Sequence, residues 1–213
     1  VLGTAPFEAV SKYTLSVLPL FVLMGNLANR ANLSRNLYDA AYAVVGHYKG
    51  GLAMSTVGAC AGFGMICGSS IATAATMSQM AGPEMKRHGY SDALISGSVA
   101  SGGTLGIIIP PSVILIIYAY LTEQSIQQLF FAALIPGLIA VVLYMIAIRV
   151  YLVIYPDQGG HGEKMTARDR ISALTKVFPI FLIFAIIMGG LYLGFFTATE
   201  SAAVGVILVI IFI

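Results

Sequence analysis

Residues 50–83, GGLAMSTVGACAGFGMICGSSIATAATMSQMAGP, decide the fold because they contain no charged residue. As one helix, these 34 residues would be about 50 Å long, whereas the hydrocarbon core of a bilayer is about 30 Å thick. The stretch is marginal for two complete crossings, and its middle, Gly68-Ser69-Ser70, is small and polar. It therefore predicts a re-entrant helical hairpin over residues 52–82, with its tip at these three residues.

The composition of the whole chain is that of an integral membrane protein. Hydrophobic residues make up 58% of the chain and charged residues only 9%, whereas soluble domains are roughly a quarter charged. The net charge of +2 reflects membrane topology, so we exclude a nucleic-acid partner and expect a lipid bilayer around the chain. The 213 residues have room for around six or seven membrane segments in a single domain.

The distribution of lysine and arginine tests the hairpin, because a hairpin returns the chain to the side it entered and a single crossing does not. With the hairpin, Lys12 alone of the 11 basic residues lies opposite the others. With a single crossing, Arg30, Arg35 and Lys49 oppose the other eight of the 11. The hairpin fits better, and the populated side is expected to be the cytoplasm.

The other predicted segments are read from the stretches of sequence between charged residues. We expect a span at 13–29, an interfacial helix with one apolar face at 33–48, spans at 128–153 and 174–195, a cytoplasmic loop at 155–170, and the start of a further span at 200–213. Because the chain begins without methionine and stops in an apolar run, we expect it to be a piece of a longer membrane protein.

Residues 92–121 predict a broken span. Pro110 and Pro111 lie near its centre, and tandem prolines remove two backbone donors and clash with the preceding turn. Irregular backbone at membrane depth is tolerated only where protein, water or bound ions satisfy it. A break beside a hairpin tip therefore indicates an ion or substrate site, although a purely structural kink is an equal alternative.

Hydroxyl groups near these two features are candidate ligands for a hard cation, which prefers oxygen. Ser69, Ser70, Thr73 and Thr76 follow the hairpin tip, and Ser101, Thr104 and the carbonyls of 103–109 precede the break. The structural alternative is that these hydroxyls only form hydrogen bonds across closely packed helices.

Few other residues could carry chemistry. Thr197 and Glu200 have the spacing of a capping box at the start of the last helix, which we favour over an ion-coupling role for Glu200. The histidines lie at segment ends and no paired carboxylates lie in the membrane interior, so we do not expect an enzyme. A channel with a re-entrant filter is the main alternative to a transporter, and an assembly subunit is a third.

Three strings carry a resemblance to a known family: GSSIATAA at 68–75 with PEMKRHGY at 83–90, and SGGTLGIIIPPS at 101–112. Together they resemble the large membrane (M) subunit of tripartite ATP-independent periplasmic (TRAP) transporters, roughly its first half. GFFTATESAAVG at 194–205 resembles a further family motif, but Ala198 stands where the family usually has proline.

The resemblance implies an all-α membrane fold that is half of an inverted-repeat elevator transporter. Its partners would be a small membrane subunit and a periplasmic substrate-binding protein. In the bacterial or archaeal cytoplasmic (inner) membrane, such a system takes up organic acids of the C4-dicarboxylate or sialic-acid class with sodium. No cofactor is implied beyond Na+ as the coupling ion.

The resemblance also implies roles for particular residues. Expected sodium ligands are Ser69, Ser70, Thr73, Gly102, Gly103 and Thr104. Residues expected to face the substrate are Ser101, Pro110, Pro111 and Ser112, while the spacing of Thr197 and Glu200 independently predicts a structural cap. A second sodium site would lie in the second half of the family's large subunit.

Overall fold

The computed structural model describes residues 16–160, 162 and 165–212, and within them every regular element is helical. The helices are α1 (Val17–Arg30), α2 (Leu33–Val45), α3 (Gly51–Cys67), α4 (Ser70–Arg87), α5 (Asp92–Ile108), α6 (Val113–Thr122), α7 (Ile126–Ile154), α8 (Ala167–Thr175), α9 (Phe178–Tyr192) and α10 (Ala198–Phe212), with a 3-10 turn at Pro156–Gln158. The predicted all-helical class is therefore confirmed for this part of the chain. Lys12, His161, Lys164 and the first three residues of the predicted 13–29 span lie outside the described residues.

Helices α3 and α4 form a hairpin whose two open ends meet. The backbone N–H of Leu52 donates to the Tyr90 hydroxyl at 3.2 Å. The loop after α7 holds the same two ends, since Gly160 O accepts from Gly50 N at 3.3 Å and Gln158 O accepts from Ser91 N at 3.1 Å. Both ends of residues 50–91 therefore lie on one side of the molecule.

The second arm of the hairpin is longer than the sequence predicts. It was expected to end at residue 82, but α4 continues through Pro83 to Arg87. A proline inside a helix removes one backbone donor and clashes with the preceding turn, but the helix continues here and its last turn gains an ion pair between Arg87 and Glu84 at 2.9 Å. The arm therefore carries its charged end beyond the apolar part of the helix.

The break between α5 and α6 falls at the tandem prolines. The two helices are bent by 44°, and the Pro110–Pro111 peptide bond is cis. Ser112 restarts the helix, because its hydroxyl accepts from Leu115 N at 3.4 Å and donates to Ile107 O at 2.7 Å. The break is thus bridged by one buried serine.

In the described residues, two helices are long and apolar enough to cross a membrane, and the bent pair α5–α6 would make a third. The two are α7, with 29 residues, and Ala167–Tyr192, with 26, which combines α8 and α9. Helix α8 begins at Ala167, so the end of the predicted 155–170 loop is helical. Charged residues do not prevent a helix there, since α8 buries only Ala173 and leaves its charges exposed.

Close packing of small residues joins α3, α4 and α5. A Cβ atom on Gly64 of α3 would lie 2.7 Å from the Cα of Gly106 in α5. A Cβ atom on Gly106 would lie 2.8 Å from Thr73 Oγ1 in α4. Any side chain at either glycine would push the helices apart, so these contacts determine how the hairpin sits against the broken helix.

Candidate functional site

The hairpin tip contacts the break between α5 and α6. The N–H of Val113 donates to Gly68 O at 3.2 Å, and a Cβ atom on Gly68 would lie 2.7 Å from Pro111 O. Gly68 also has a φ of +62°, which residues with a Cβ rarely adopt. The two irregular backbone segments that the sequence singled out therefore meet at one place.

Four helix ends come together at this contact. Helices α3 and α5 end there at Cys67 and Ile108, while α4 and α6 begin there at Ser70 and Val113. The carbonyls at a helix C-terminus favour a cation, and the free N–H groups at an N-terminus favour an anion. The arrangement can therefore receive a cation and a carboxylate next to each other.

Thr73 lies in the first turns of α4 and is completely buried. Its Oγ1 has no hydrogen-bond partner among the described residues, and its interaction with the Cys67 thiol is at most a weak sulfur contact. Leaving a buried hydroxyl unpaired costs about 1–3 kcal/mol. Thr73 Oγ1 is therefore available to a ligand at the hairpin tip.

The two serines at the tip are half-buried. Ser69 caps α4, with its hydroxyl accepting from Ala72 N at 3.4 Å. The Ser70 carbonyl faces α5, since a Cβ atom on Gly103 would lie 3.3 Å from it. The structure thus brings together Ser69, Ser70, Thr73 and Gly103.

Gly102 and Thr104 point elsewhere, because successive helix residues turn by about 100°. Gly102 packs on α3, where its Cβ would lie 2.8 Å from Cys60 Sγ. Thr104 Oγ1 donates to Ser101 O at 2.7 Å and lies 3.1 Å from the Tyr144 hydroxyl in α7. Both residues belong to a continuous helix that ends only at Ile108, so neither lies in the irregular backbone of the break, and their contact with sodium remains a prediction.

Sequence reasoning considered Gly106 only as one of the carbonyls at 103–109, and it missed the close packing there: a Cβ atom on Gly106 would lie 2.8 Å from Thr73 Oγ1 and 2.9 Å from the Ser69 carbonyl. The signal was present in the spacing, since Gly103 and Gly106 are three residues apart and lie on the same helix face. Tyr144 was also missed, because nothing in an apolar span of 29 residues marks which tyrosine faces a neighbouring helix.

The residues expected to face the substrate lie in different environments. Pro110 and Pro111 are buried at the break, and Ser112 is fully buried with its hydroxyl bonded within the chain. Ser101 is half-buried, and its hydroxyl donates to Gly97 O at 2.7 Å. Their contact with a substrate remains a prediction.

Thr197 and Glu200 form reciprocal hydrogen bonds at the start of α10. Glu200 Oε2 accepts from Thr197 N at 2.8 Å and from its hydroxyl at 2.9 Å. The Thr197 hydroxyl in turn accepts from Glu200 N at 3.3 Å. This is the geometry of a capping box.

Comparison with known proteins identifies the family. The family model described as "Tripartite ATP-independent periplasmic transporter, DctM component" matches residues 1–213 of this chain. The chain belongs to this family. The expected resemblance to the TRAP large subunit is thereby confirmed.

Three relatives show the range of the TRAP family. The C4-dicarboxylate TRAP transporter large permease protein DctM of Pseudomonas aeruginosa is 39% identical over 201 residues, covering 94% of this chain and 47% of the relative. The ectoine TRAP transporter large permease protein TeaC of Halomonas elongata is 33% identical, covering 89% and 44%. The sialic acid TRAP transporter large permease protein SiaM of Vibrio cholerae is 33% identical, covering 92% and 45%.

The chain spans about half the length of these relatives, in agreement with the expected first half. Their names describe transporter permeases, which points away from an enzyme. The channel alternative finds no support in these comparisons. The family and the apolar helices together place the chain in a membrane.

Proposed function

We propose that this chain belongs to the large subunit of a sodium-coupled transporter that takes up organic acids across the bacterial inner membrane. A periplasmic binding protein would deliver the substrate, and a small membrane subunit would complete the assembly. The substrate classes we propose are C4-dicarboxylates and sialic acids, which the names of two relatives state for those proteins.

The observation that carries the proposal is the unpartnered hydroxyl of Thr73 at the meeting point of the hairpin tip and the helix break. We propose that sodium binds between this hydroxyl and the carbonyls at the ends of α3 and α5. Those carbonyls carry the negative ends of two helix dipoles. Binding would remove the cost of an unpaired buried hydroxyl and tie α4 to α5.

The same meeting point explains how a substrate carboxylate could depend on sodium. In the first turn of α4, Ala72 N and Thr73 N are bonded to Ser69, which leaves the N–H groups of Ser70 and Ile71 for an anion. Sodium would neutralise the carbonyls beside them. Each ion would then strengthen the site for the other, which is the basis of coupled transport. The hairpin and α5 would move as one unit in an elevator-type motion, because their glycine contacts leave no room for sliding.

The test is uptake by the full-length protein, reconstituted with its small subunit and binding protein in liposomes, with labelled succinate and labelled N-acetylneuraminate. In Thr73→Val the shape is kept and the hydroxyl is lost. We expect the sodium concentration for half-maximal uptake to rise about 10-fold or more. Thermal stability without sodium should stay equal or increase, since an unpaired hydroxyl is removed.

Thr122→Val is the matched control, because its hydroxyl donates only to Tyr118 O at 2.7 Å near the end of α6. It should leave the sodium dependence unchanged. A wild-type sodium dependence in Thr73→Val would overturn the proposed site. Uptake of the wild-type protein without any sodium gradient would overturn the coupling while leaving the family assignment intact.

A further inference from the structure

A polar cavity lies at the other end of the hairpin, away from the tip. It is enclosed by α2, the end of α4 and the start of α8, and its volume is about 640 Å3. Small-molecule sites typically measure about 300–1,000 Å3. This cavity, which we call the α2–α8 cleft, is therefore large enough for a ligand.

A buried hydroxyl in the α2–α8 cleft has no partner. Tyr38 lines the cleft and is only 7% exposed, and its hydroxyl forms no hydrogen bond with a described residue. Burial raises the pKa of Tyr38, and the carboxylate of Glu84 across the cleft adds to this effect. The hydroxyl therefore remains a neutral donor that a bound group could use.

The charges of the cleft are of both signs. Glu84 forms an ion pair with Arg87, whose guanidinium nitrogen lies 2.9 Å from Glu84 Oε1. The same oxygen lies 3.5 Å from His88 Nδ1. Asp39 and Asp169 line the cleft without an ion pair to any described residue, and so does Arg35. A guanidinium group has five N–H donors, so Arg87 also retains free donors.

Asp39 is held in an environment that does not suit an isolated carboxylate. Burial raises the pKa of Asp39, and the nearby charges of Arg35 and Lys176 only partly oppose this effect. A cationic group in the cleft would stabilise the ionised carboxylate. Arg35 lies one helical turn away from Asp39, so an anionic group bound to Arg35 would be adjacent.

The surface beside the cleft is apolar and faces outward. On α8, Ile171 is 65% exposed and Leu174 is 49% exposed, while the charged Asp169 of the same helix lines the cleft. A short helix with this division is typical of the interface of a bilayer, at the level of the lipid headgroups. A headgroup in the cleft could therefore keep its acyl chains against these two residues.

We propose that the α2–α8 cleft binds a phosphoethanolamine group, with its phosphate on Arg35 and Arg87 and its ammonium on Asp39 and Asp169. A simple anion would lie against two unpaired carboxylates, and a simple cation would lie against two guanidinium groups. A zwitterion satisfies both sets, and the Tyr38 hydroxyl donates to the phosphate. The source is either an ethanolamine lipid or free phosphoethanolamine.

Calorimetric titration of the delipidated full-length protein in detergent tests this proposal. The probes are short-chain phosphatidylethanolamine, short-chain phosphatidylglycerol, free phosphoethanolamine and inorganic phosphate. We expect Arg35→Gln and Asp39→Asn each to weaken binding of phosphatidylethanolamine about 10-fold or more. Arg170→Gln and Glu123→Gln, which change exposed charges outside the cleft, should bind like the wild type.

Tyr38→Phe provides a variant that should fold normally, because it removes only the unpartnered hydroxyl. It should weaken binding of phosphatidylethanolamine and leave thermal stability unchanged or increased. Preference for phosphatidylethanolamine over free phosphoethanolamine identifies a lipid, and equal binding of the two identifies a soluble ligand. Equal binding of phosphatidylglycerol, normal binding by Asp39→Asn or Tyr38→Phe, or no binding of any probe would overturn the proposal.

Discussion

Gly68 shows how much of the proposed transport site rests on single residues. Its φ of +62° turns the chain between the two hairpin arms, and its missing side chain lets Pro111 O approach. Either requirement alone would favour glycine, and here both apply to the same residue. The contact between tip and break therefore depends on the absence of one methyl group.

Gly68→Ala should separate the tip from the break. A positive φ costs an alanine about 1–2 kcal/mol, and the new Cβ would lie 2.7 Å from Pro111 O. We expect sodium-driven uptake to fall about 10-fold or more and the melting temperature to decrease by at least a few degrees. Uptake assays and thermal unfolding of the full-length protein measure both effects.

Gly89→Ala is the control for backbone strain. Gly89 has a φ of +76°, but a Cβ atom there would meet nothing within 4 Å. It should therefore lose a similar amount of stability through its backbone while transport remains normal. If both variants lose transport equally, the close approach of Gly68 to Pro111 O is not the cause of the loss in Gly68→Ala.

At the scale of secondary-structure elements, serine caps mark where several helices begin. Ser69, Ser91, Ser112 and Ser125 each cap the helix that follows them through their side chains. Three of these caps could be inferred from a serine that precedes an apolar run. The cap at Ser69 could not be separated from a role in ion binding, because the same hydroxyl suits both.

Glu200 allows the capping role to be tested against ion coupling. Glu200→Gln keeps an acceptor for Thr197 N, whereas Glu200→Ala removes it. We expect Glu200→Ala to lower the melting temperature by about 2–4 °C and Glu200→Gln to change it less, with uptake retained in both. Loss of uptake in Glu200→Gln at normal stability would show that the carboxylate has a role beyond the cap.

At the scale of the whole molecule, the hairpin brings its two open ends together on one side of the molecule. Its two ends are joined by the Leu52–Tyr90 hydrogen bond and by the loop at residues 158–160. A chain that crossed the membrane only once between residues 50 and 91 could not make these contacts. The charge distribution read from the sequence indicates the same arrangement.

Thiol labelling of single-cysteine variants should show this sidedness. Cys60 and Cys67 are free and buried, so both can be replaced by alanine before cysteines are placed at Lys49, Lys86 and Glu123. In right-side-out vesicles, an impermeant reagent should label position 123 and leave 49 and 86 unlabelled until the membrane is opened. Labelling of 49 and 86 from opposite sides would exclude a re-entrant hairpin.

The sequence alone determined the all-helical class and the family, because these depend on local quantities. The length of the uncharged run, the tandem prolines at 110–111 and the family strings are each read from neighbouring residues. Only the tertiary structure decided which residues of α5 contact α4, the second arm of the hairpin. Gly103 and Gly106 contact α4, whereas Gly102 and Thr104 contact α3 and α7. The sequence could not show which neighbouring helix each of these four residues faces, since the rotation of a helix about its axis is set by packing against several neighbours at once. The α2–α8 cleft likewise joins residues from 35 to 169, and distant segments together bury the Tyr38 hydroxyl, which has no hydrogen-bond partner among the described residues.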